Sequence, residues 1–144
     1  MERDMDKRSG IDIPATAPSR FDPEGLKFSD VTAINVARCL RWHGAAGVDD
    51  WSPERWMVAT MGELGEAANV LKKMFRVMDG IANINDADRN VATIGAATAK
   101  LGEECADTFL YLNLFCARTG INLASEIIKK FNATSERYGF PERL

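Results

Sequence analysis

Two pairs of carboxylates, each at three-residue spacing, are the residues most able to do chemistry: Glu63 with Glu66 in GELGE, and Glu104 with Asp107 in EECAD. Residues three apart are neighbours on one helix face, so each pair can grip an ion from one side. Both pairs sit in apolar helical patterns, with Met57, Val58, Met61, Leu64, Ala67, Val70 and Leu71 around the first and Leu101, Cys105, Phe109, Leu110 and Leu112 around the second. These helices are therefore expected to be largely buried. Carboxylates facing one another in such surroundings repel, take up protons or recruit a cation. All-oxygen ligation suits Mg²⁺, with Mn²⁺ as an alternative, and Mg²⁺ is commonly completed by water and substrate phosphates. Either pair alone reads more readily as a solvated helix face. Their recurrence on two long helices that can pack antiparallel favours a shared metal site.

Helical phase extends each acidic stripe. On the first helix, Trp56 lies seven residues before Glu63 and Lys73 seven after Glu66, a rise of roughly 10 Å along the axis in each case. That span accommodates a metal-bound triphosphate between the carboxylates and a lysine or a ring. Lys73, with Lys72 and Arg76 beside it, can bind phosphate oxygens; the same cluster also reads as a basic helix end favoured by the macrodipole. Trp56 is either a base platform or a core residue. On the second helix Lys100, Glu104, Asp107 and Tyr111 follow at steps of four, three and four and share a face. Lys100 can pair with Glu104. Tyr111 can stack on a base or fill the core. Glu103 points about 100° away from Glu104 and is either a general base or part of a polar face.

Other chemistries lack their residues. The single histidine, His43, has no serine or cysteine at a spacing that suggests a nucleophilic triad, and a di-iron site needs Glu-x-x-His on two helices. Asp86, Asp88 and Asn90 imitate the start of a calcium loop, but Val91 stands where that turn needs glycine and Ala97 where the bidentate acid belongs. There is no GxxxxGK phosphate loop.

The elements that must position these groups are helices. The chain has 144 residues, 46% of them hydrophobic, enough for one domain with its own core. Residues 1–27, rich in charge and holding Pro14, Pro18, Pro23 and Gly25, read as a flexible N-terminal arm. Residues 28–144 read as the helical domain. The first helix is expected from the Ser29–Asp30 cap to Trp42, with Val31, Ile34, Val36, Ala37 and Leu40 inward. A second runs from Ser52 and Pro53 to Met78, a third from Ala96 to Thr119, and a fourth from Leu123 to Arg137 after an Asn122 cap. The stretch 81–95 carries no clear pattern. No strand signal competes, so the fold expected is all-α, an antiparallel four-helix bundle.

The formal net charge of −3 gives no general attraction to nucleic acid or anionic membrane. No apolar run reaches membrane-spanning length and no signal-peptide core follows the charged start, while Cys39, Cys105 and Cys116 lack CxxC spacing and form an odd set. A cytoplasmic protein with core cysteines is expected.

The segments GELGEAANVLKK and EECADTFLYL, with the closing KKFNATSERYG, resemble the MazG-like, all-alpha nucleoside triphosphate pyrophosphohydrolases, including the related dCTP pyrophosphatases. The resemblance covers residues 50–144. It implies an Mg²⁺-dependent enzyme cutting a nucleoside triphosphate to the monophosphate and pyrophosphate, for nucleotide-pool sanitation. Glu63, Glu66, Glu104 and Asp107 match the metal-ligand positions, and Tyr111 a nucleotide-contacting tyrosine. The implied assembly is a homodimer or homotetramer with sites near the subunit boundary, where Lys73 and Lys130 can stabilise the departing pyrophosphate and Glu66 or Glu103 can take the proton from the attacking water. The chain departs from the pattern at Gly62, where the fuller motif has glutamate, at Lys73, where the dCTP branch has tryptophan, and at Thr134, often asparagine. A cytosine preference is therefore not implied. Related pyrophosphohydrolases acting on dUTP or phosphoribosyl-ATP, and a non-catalytic helical oligomerisation or binding module, are the alternative readings.

Overall fold

The computed structural model describes residues 25–81 and 91–144. The described part is helical throughout, in the order α1 (Phe28–His43), a 3₁₀ segment (Gly44–Asp49), α2 (Pro53–Met78), α3 (Ile94–Arg118) and α4 (Leu123–Tyr138), with no strand among the described residues. Residues 1–24 of the expected arm, and Asp86, Asp88 and Asn90 of the loop that imitates a calcium site, lie outside the described residues.

α2 and α3 form the spine. Pro53 starts α2, where its missing N–H loses nothing, and Ser52 is in extended conformation before it. α3 begins two residues earlier than expected, because the Thr93 hydroxyl accepts a hydrogen bond from Ala96 N at 3.1 Å. The two helices run antiparallel. Trp56, early in α2, packs with Leu114 and Tyr111 late in α3, while Val70 and Met74 pack with Ala97 and Leu101. The contact stripe of α2 reads Trp56, Thr60, Glu63, Ala67, Val70, Met74, alternating steps of four and three as in a knobs-into-holes seam. Each end of this seam is apolar, one cluster built on Trp56, Cys39 and Leu114 and the other on Val70, Val91 and Ala97. Glu63 and Glu104 occupy the positions between them.

α1 lies across the second half of α3, but its inner face differs from the expected one. Ile34 and Leu40 are about half exposed, and Asn35 and Cys39 are buried instead. The reason is a polar relay. Asn35 Nδ2 donates to the Leu110 carbonyl (2.9 Å) and to Asn113 Oδ1 (3.3 Å), and Asn113 Nδ2 donates to Thr32 Oγ1 (2.9 Å). Buried amides satisfied by one another fix the rotation of α1 against α3. Phe28 adds an edge-to-face contact with Phe109 at 5.5 Å.

The link from α1 to α2 turns tightly through Gly47, which has φ of 50° and presses on Leu40 so closely that a Cβ there would lie 2.6 Å from its Cδ2. Only glycine tolerates both demands. Trp56 Nε1 donates to the Val48 carbonyl (2.9 Å), and Arg118 reaches from α3 to the Trp51 carbonyl (3.2 Å) and to Asp49 (3.2 Å).

Further sequence expectations change. Cys39 and Cys116 are buried, but Cys105, one residue and about 100° round the helix from Glu104, is exposed. α1 starts at Phe28 after Lys27, so Ser29 and Asp30 lie inside its first turn and do not cap it. The apolar residues flanking the first acidic pair are not all interior: Val58 is 71% exposed, and Met61, Leu64, Phe75 and Met78 are about half exposed. They form a second stripe, rotated away from the one α3 covers. Close packing along the helix length is confined to α2 with α3, and α4 makes few contacts with the rest of the described residues. No helix among the described residues is long and apolar enough to cross a membrane.

Candidate metal centre

The seam between the two apolar clusters brings the acidic residues together. One carboxylate oxygen from each of Glu63, Glu66 and Glu104 lies within 4.8 Å of the others, two from α2 and one from α3. Thr60 and Ala67 precede and follow Glu63 in the seam and are small, which leaves room for a carboxylate among bulky neighbours. Glu104 is only 2% exposed, Glu63 half-buried and Glu66 open to solvent. The cluster is thus closed on the α3 side and accessible along α2.

Burial, and then the negative charge of Glu66, Asp107 and Glu104, push the Glu63 carboxyl above its ordinary range; Lys100 opposes this. Lys100 is paired directly with the cluster: its Nζ lies 2.7 Å from Glu104 Oε1 and 3.0 Å from Glu103 Oε2. These bonds, the one to Glu104 first, hold the ammonium proton above its usual range.

The fourth expected ligand is placed differently. Asp107 stands outside the tight cluster, on its exposed edge, yet close enough to raise the Glu63 pKa. A step of three residues along α3 falls 60° short of a full turn, which carries Asp107 from the buried seam of Glu104 to its rim. There Asp107 and Glu63 line a cavity of about 130 Å³ together with Arg38, Trp42, Leu110, Tyr111 and Leu114. Tyr111 thus joins the site. Trp56 does not offer its face as a platform: it is 1% exposed, its indole N–H is bonded, and it backs Tyr111 with ring centroids 6.2 Å apart. It is a core residue.

Glu103, one of two candidate bases, is exposed and held by Lys100 outside the cluster, which leaves Glu66 as the candidate within it. Lys73 and Arg76 are half-buried further along α2 and do not line this cavity, and Lys130 projects from an exposed stretch of α4. Sequence reasoning missed Arg38 and Trp42. Arg38 donates to Asn35 Oδ1 at 2.9 Å and its guanidinium lies 4.9 Å from the Trp42 ring centre, so the buried amide relay aims it at the cavity. An arginine four residues before an exposed tryptophan was the only local signal.

The chain matches no family model, no curated protein and no solved structure. The site must be read on its own chemistry. Its donors are all carboxylate oxygens, drawn from two helices, one of them buried; such a set fits a hard divalent ion such as Mg²⁺ or Mn²⁺ and does not suit a soft metal.

Proposed function

We propose that this chain is a Mg²⁺-dependent nucleoside triphosphate pyrophosphohydrolase of the MazG-like type, releasing a nucleoside monophosphate and pyrophosphate from a (d)NTP in nucleotide-pool sanitation. The observation that carries the reading is the convergence of Glu63, Glu66 and Glu104 from two antiparallel helices beside a cavity lined by Arg38, Trp42, Asp107 and Tyr111. Glu63, Glu66 and Glu104 hold Mg²⁺, or Mn²⁺ in its place, with Asp107 completing the set from the rim. Bound there, the ion neutralises triphosphate charge and lowers the pKa of coordinated water. Glu66, the most open carboxylate of the cluster, takes the proton from the attacking water. Arg38 and the rings of Trp42 and Tyr111 orient the nucleoside end. Lys73, Arg76 and Lys130 lie outside the cavity, and any role for them on pyrophosphate is played in an oligomer.

A homodimer or homotetramer is part of this reading. Met61, Leu64, Leu71, Phe75 and Met78 repeat at steps of three and four, multiples included, along α2 and stay at least partly exposed, a contiguous apolar stripe that monomeric proteins rarely leave uncovered. A second copy supplies the helices that complete an antiparallel bundle of the all-alpha pyrophosphatase type, in the cytoplasm.

The test is to incubate the chain with canonical and modified dNTPs, dUTP and phosphoribosyl-ATP in Mg²⁺ and to separate the products. Monophosphate with pyrophosphate is expected; diphosphate with orthophosphate rules the reaction out. Glu104→Gln should lower turnover by roughly 10²-fold or more while keeping the helical circular dichroism, as expected for loss of a metal ligand. Near-normal turnover in that variant removes the metal assignment.

A further inference from the structure

The acidic cluster already contains a positive charge, and it comes from the chain itself. Lys100 Nζ makes a 2.7 Å bond to Oε1 of Glu104, whose side chain is 3% exposed, whereas Lys100 itself remains 35% exposed. Its second bond, 3.0 Å to Glu103, lies on the outer side, with Glu103 65% exposed. The ammonium therefore bridges the buried end of the cluster to solvent. Glu104 is a seam residue, and without a counter-ion its charge between two apolar clusters is strongly unfavourable. An ammonium satisfies that need in the absence of metal, but it occupies one of the two Glu104 oxygens and places a like charge beside any incoming cation.

We propose that Lys100 is the resident counter-ion of this site, bound to Glu104 in competition with the divalent cation, so that loading exchanges an ammonium for a metal. This rests on the metal-site reading above. The exchange is geometrically easy. Lys100 precedes Glu104 by one turn, its stem is flexible, and on leaving Glu104 it keeps the bond to Glu103, so one hydrogen bond is given up and not two. Glu103 thereby acquires a role as the acceptor that receives the displaced ammonium at the rim. The site keeps Glu104 ordered when empty and lowers its own metal affinity by the same contact. Even with water's dielectric, a unit charge about 5 Å from a divalent ion changes its affinity by roughly tenfold.

The experiment is a titration of the full chain with Mn²⁺ alone, followed by calorimetry and by the loss of free-ion paramagnetic signal, on wild type, Lys100→Met and Lys100→Arg. Lys100→Met should bind Mn²⁺ about tenfold or more tightly than wild type and should melt earlier in chelator. Lys100→Arg, which keeps the charge, should bind no more tightly than wild type. Unchanged or weaker Mn²⁺ binding by Lys100→Met overturns the proposal, because Lys100 would then be supporting the ligand set. If Lys100→Met does not fold in chelator, Lys100→Gln takes its place under the same criterion. Failure of the parent reading looks different: wild type would then show no Mn²⁺ uptake that Glu104→Gln abolishes, whatever the lysine variants do.

Discussion

The α2–α3 hairpin and α4 are built from the same kind of sequence and end in opposite states. Along α2, apolar residues at steps of three and four meet α3, and Trp56, Ala67 and Val70 are buried. Along α4, Ile127, Ile128 and Phe131 recur with comparable spacing and remain over 40% exposed. What holds α4 as a helix is local. Asn122 caps its first turn through Ser125 N (3.1 Å), Lys129 pairs with Glu126 (2.7 Å), and Gly139 ends it in the left-handed region with Phe140 N bonded to the Ser135 carbonyl (2.8 Å). The tail then folds back, with the Asn132 side chain bonded to both N and O of Leu144. Amphipathic spacing makes a helix ready to be buried; burial itself needs a partner. The chain supplies that partner for α2, through a connection that returns α3 alongside it, and leaves α4 and the outer stripe of α2 without one among the described residues. It is also in the covered region that Glu104 is held, because only a closed seam keeps it out of water.

The largest way to break this contrast is in the core that frames the site. Trp56→Ala removes the most deeply buried large side chain of the hairpin and leaves the Val48 carbonyl without its indole donor. Loss of about 3–5 kcal/mol of unfolding free energy is expected, from cavity and transfer terms together. Denaturant melts of the variant measure it. A loss below about 1 kcal/mol would mean that the cluster built on Trp56, Cys39 and Leu114 does not anchor the hairpin.

The four helices and several of their ends are legible in the sequence, because their signals are local; the exceptions are α1, which starts at Phe28 behind Lys27 and not at the Ser29–Asp30 cap, and α3, which starts at Ile94 behind its Thr93 cap and not at Ala96. Ser52–Pro53, Asn122 and Gly120 act within one turn and mark boundaries whatever lies around them. The acidic pairs were legible for the same reason, since three-residue spacing places two carboxylates on one face. What could not be read was the choice between faces. α2 carries two adjacent apolar stripes of equal periodicity, and nothing in their spacing says which one α3 covers. The inner face of α1 was misjudged because Asn35 is buried by a hydrogen bond to Asn113, 78 residues away. Arg38 owes its direction to the same distant contact.

A smaller effect tests whether the hairpin's interior charge is a burden without metal. The Glu63 carboxyl is pushed up by burial and by its acidic neighbours, so the native state holds its proton more tightly than the unfolded chain does. At low pH both states are protonated and nothing differs. Between the ordinary carboxylate range and the raised Glu63 value, the unfolded chain has released a proton that the native state keeps, so unfolding free energy falls as pH rises. In chelator, melts from roughly pH 4 to 7 should therefore converge for wild type and Glu63→Gln at the acid end, with the variant higher at neutrality. Millimolar Mg²⁺ should raise the wild type selectively. Parallel curves at all pH values would show that Glu63 does not carry the repulsion.

The smallest expected change in fold stability lies in α4, and it sharpens the contrast from the other side. Phe131 is 41% exposed on a helix that touches little of the rest, so Phe131→Ser should alter the melting free energy of dilute protein by no more than about 0.5 kcal/mol. If a second copy covers this stripe, the same substitution must lower the sedimentation coefficient at micromolar concentration, because an apolar contact present only between copies is lost without any loss inside one copy. Trp56→Ala and Phe131→Ser thus separate two uses of one hydrophobic pattern. The first should destabilise the chain at any concentration, and the second should dissociate it while each copy stays folded. A concentration-independent loss of stability in Phe131→Ser would show instead that α4 belongs to the core of its own chain.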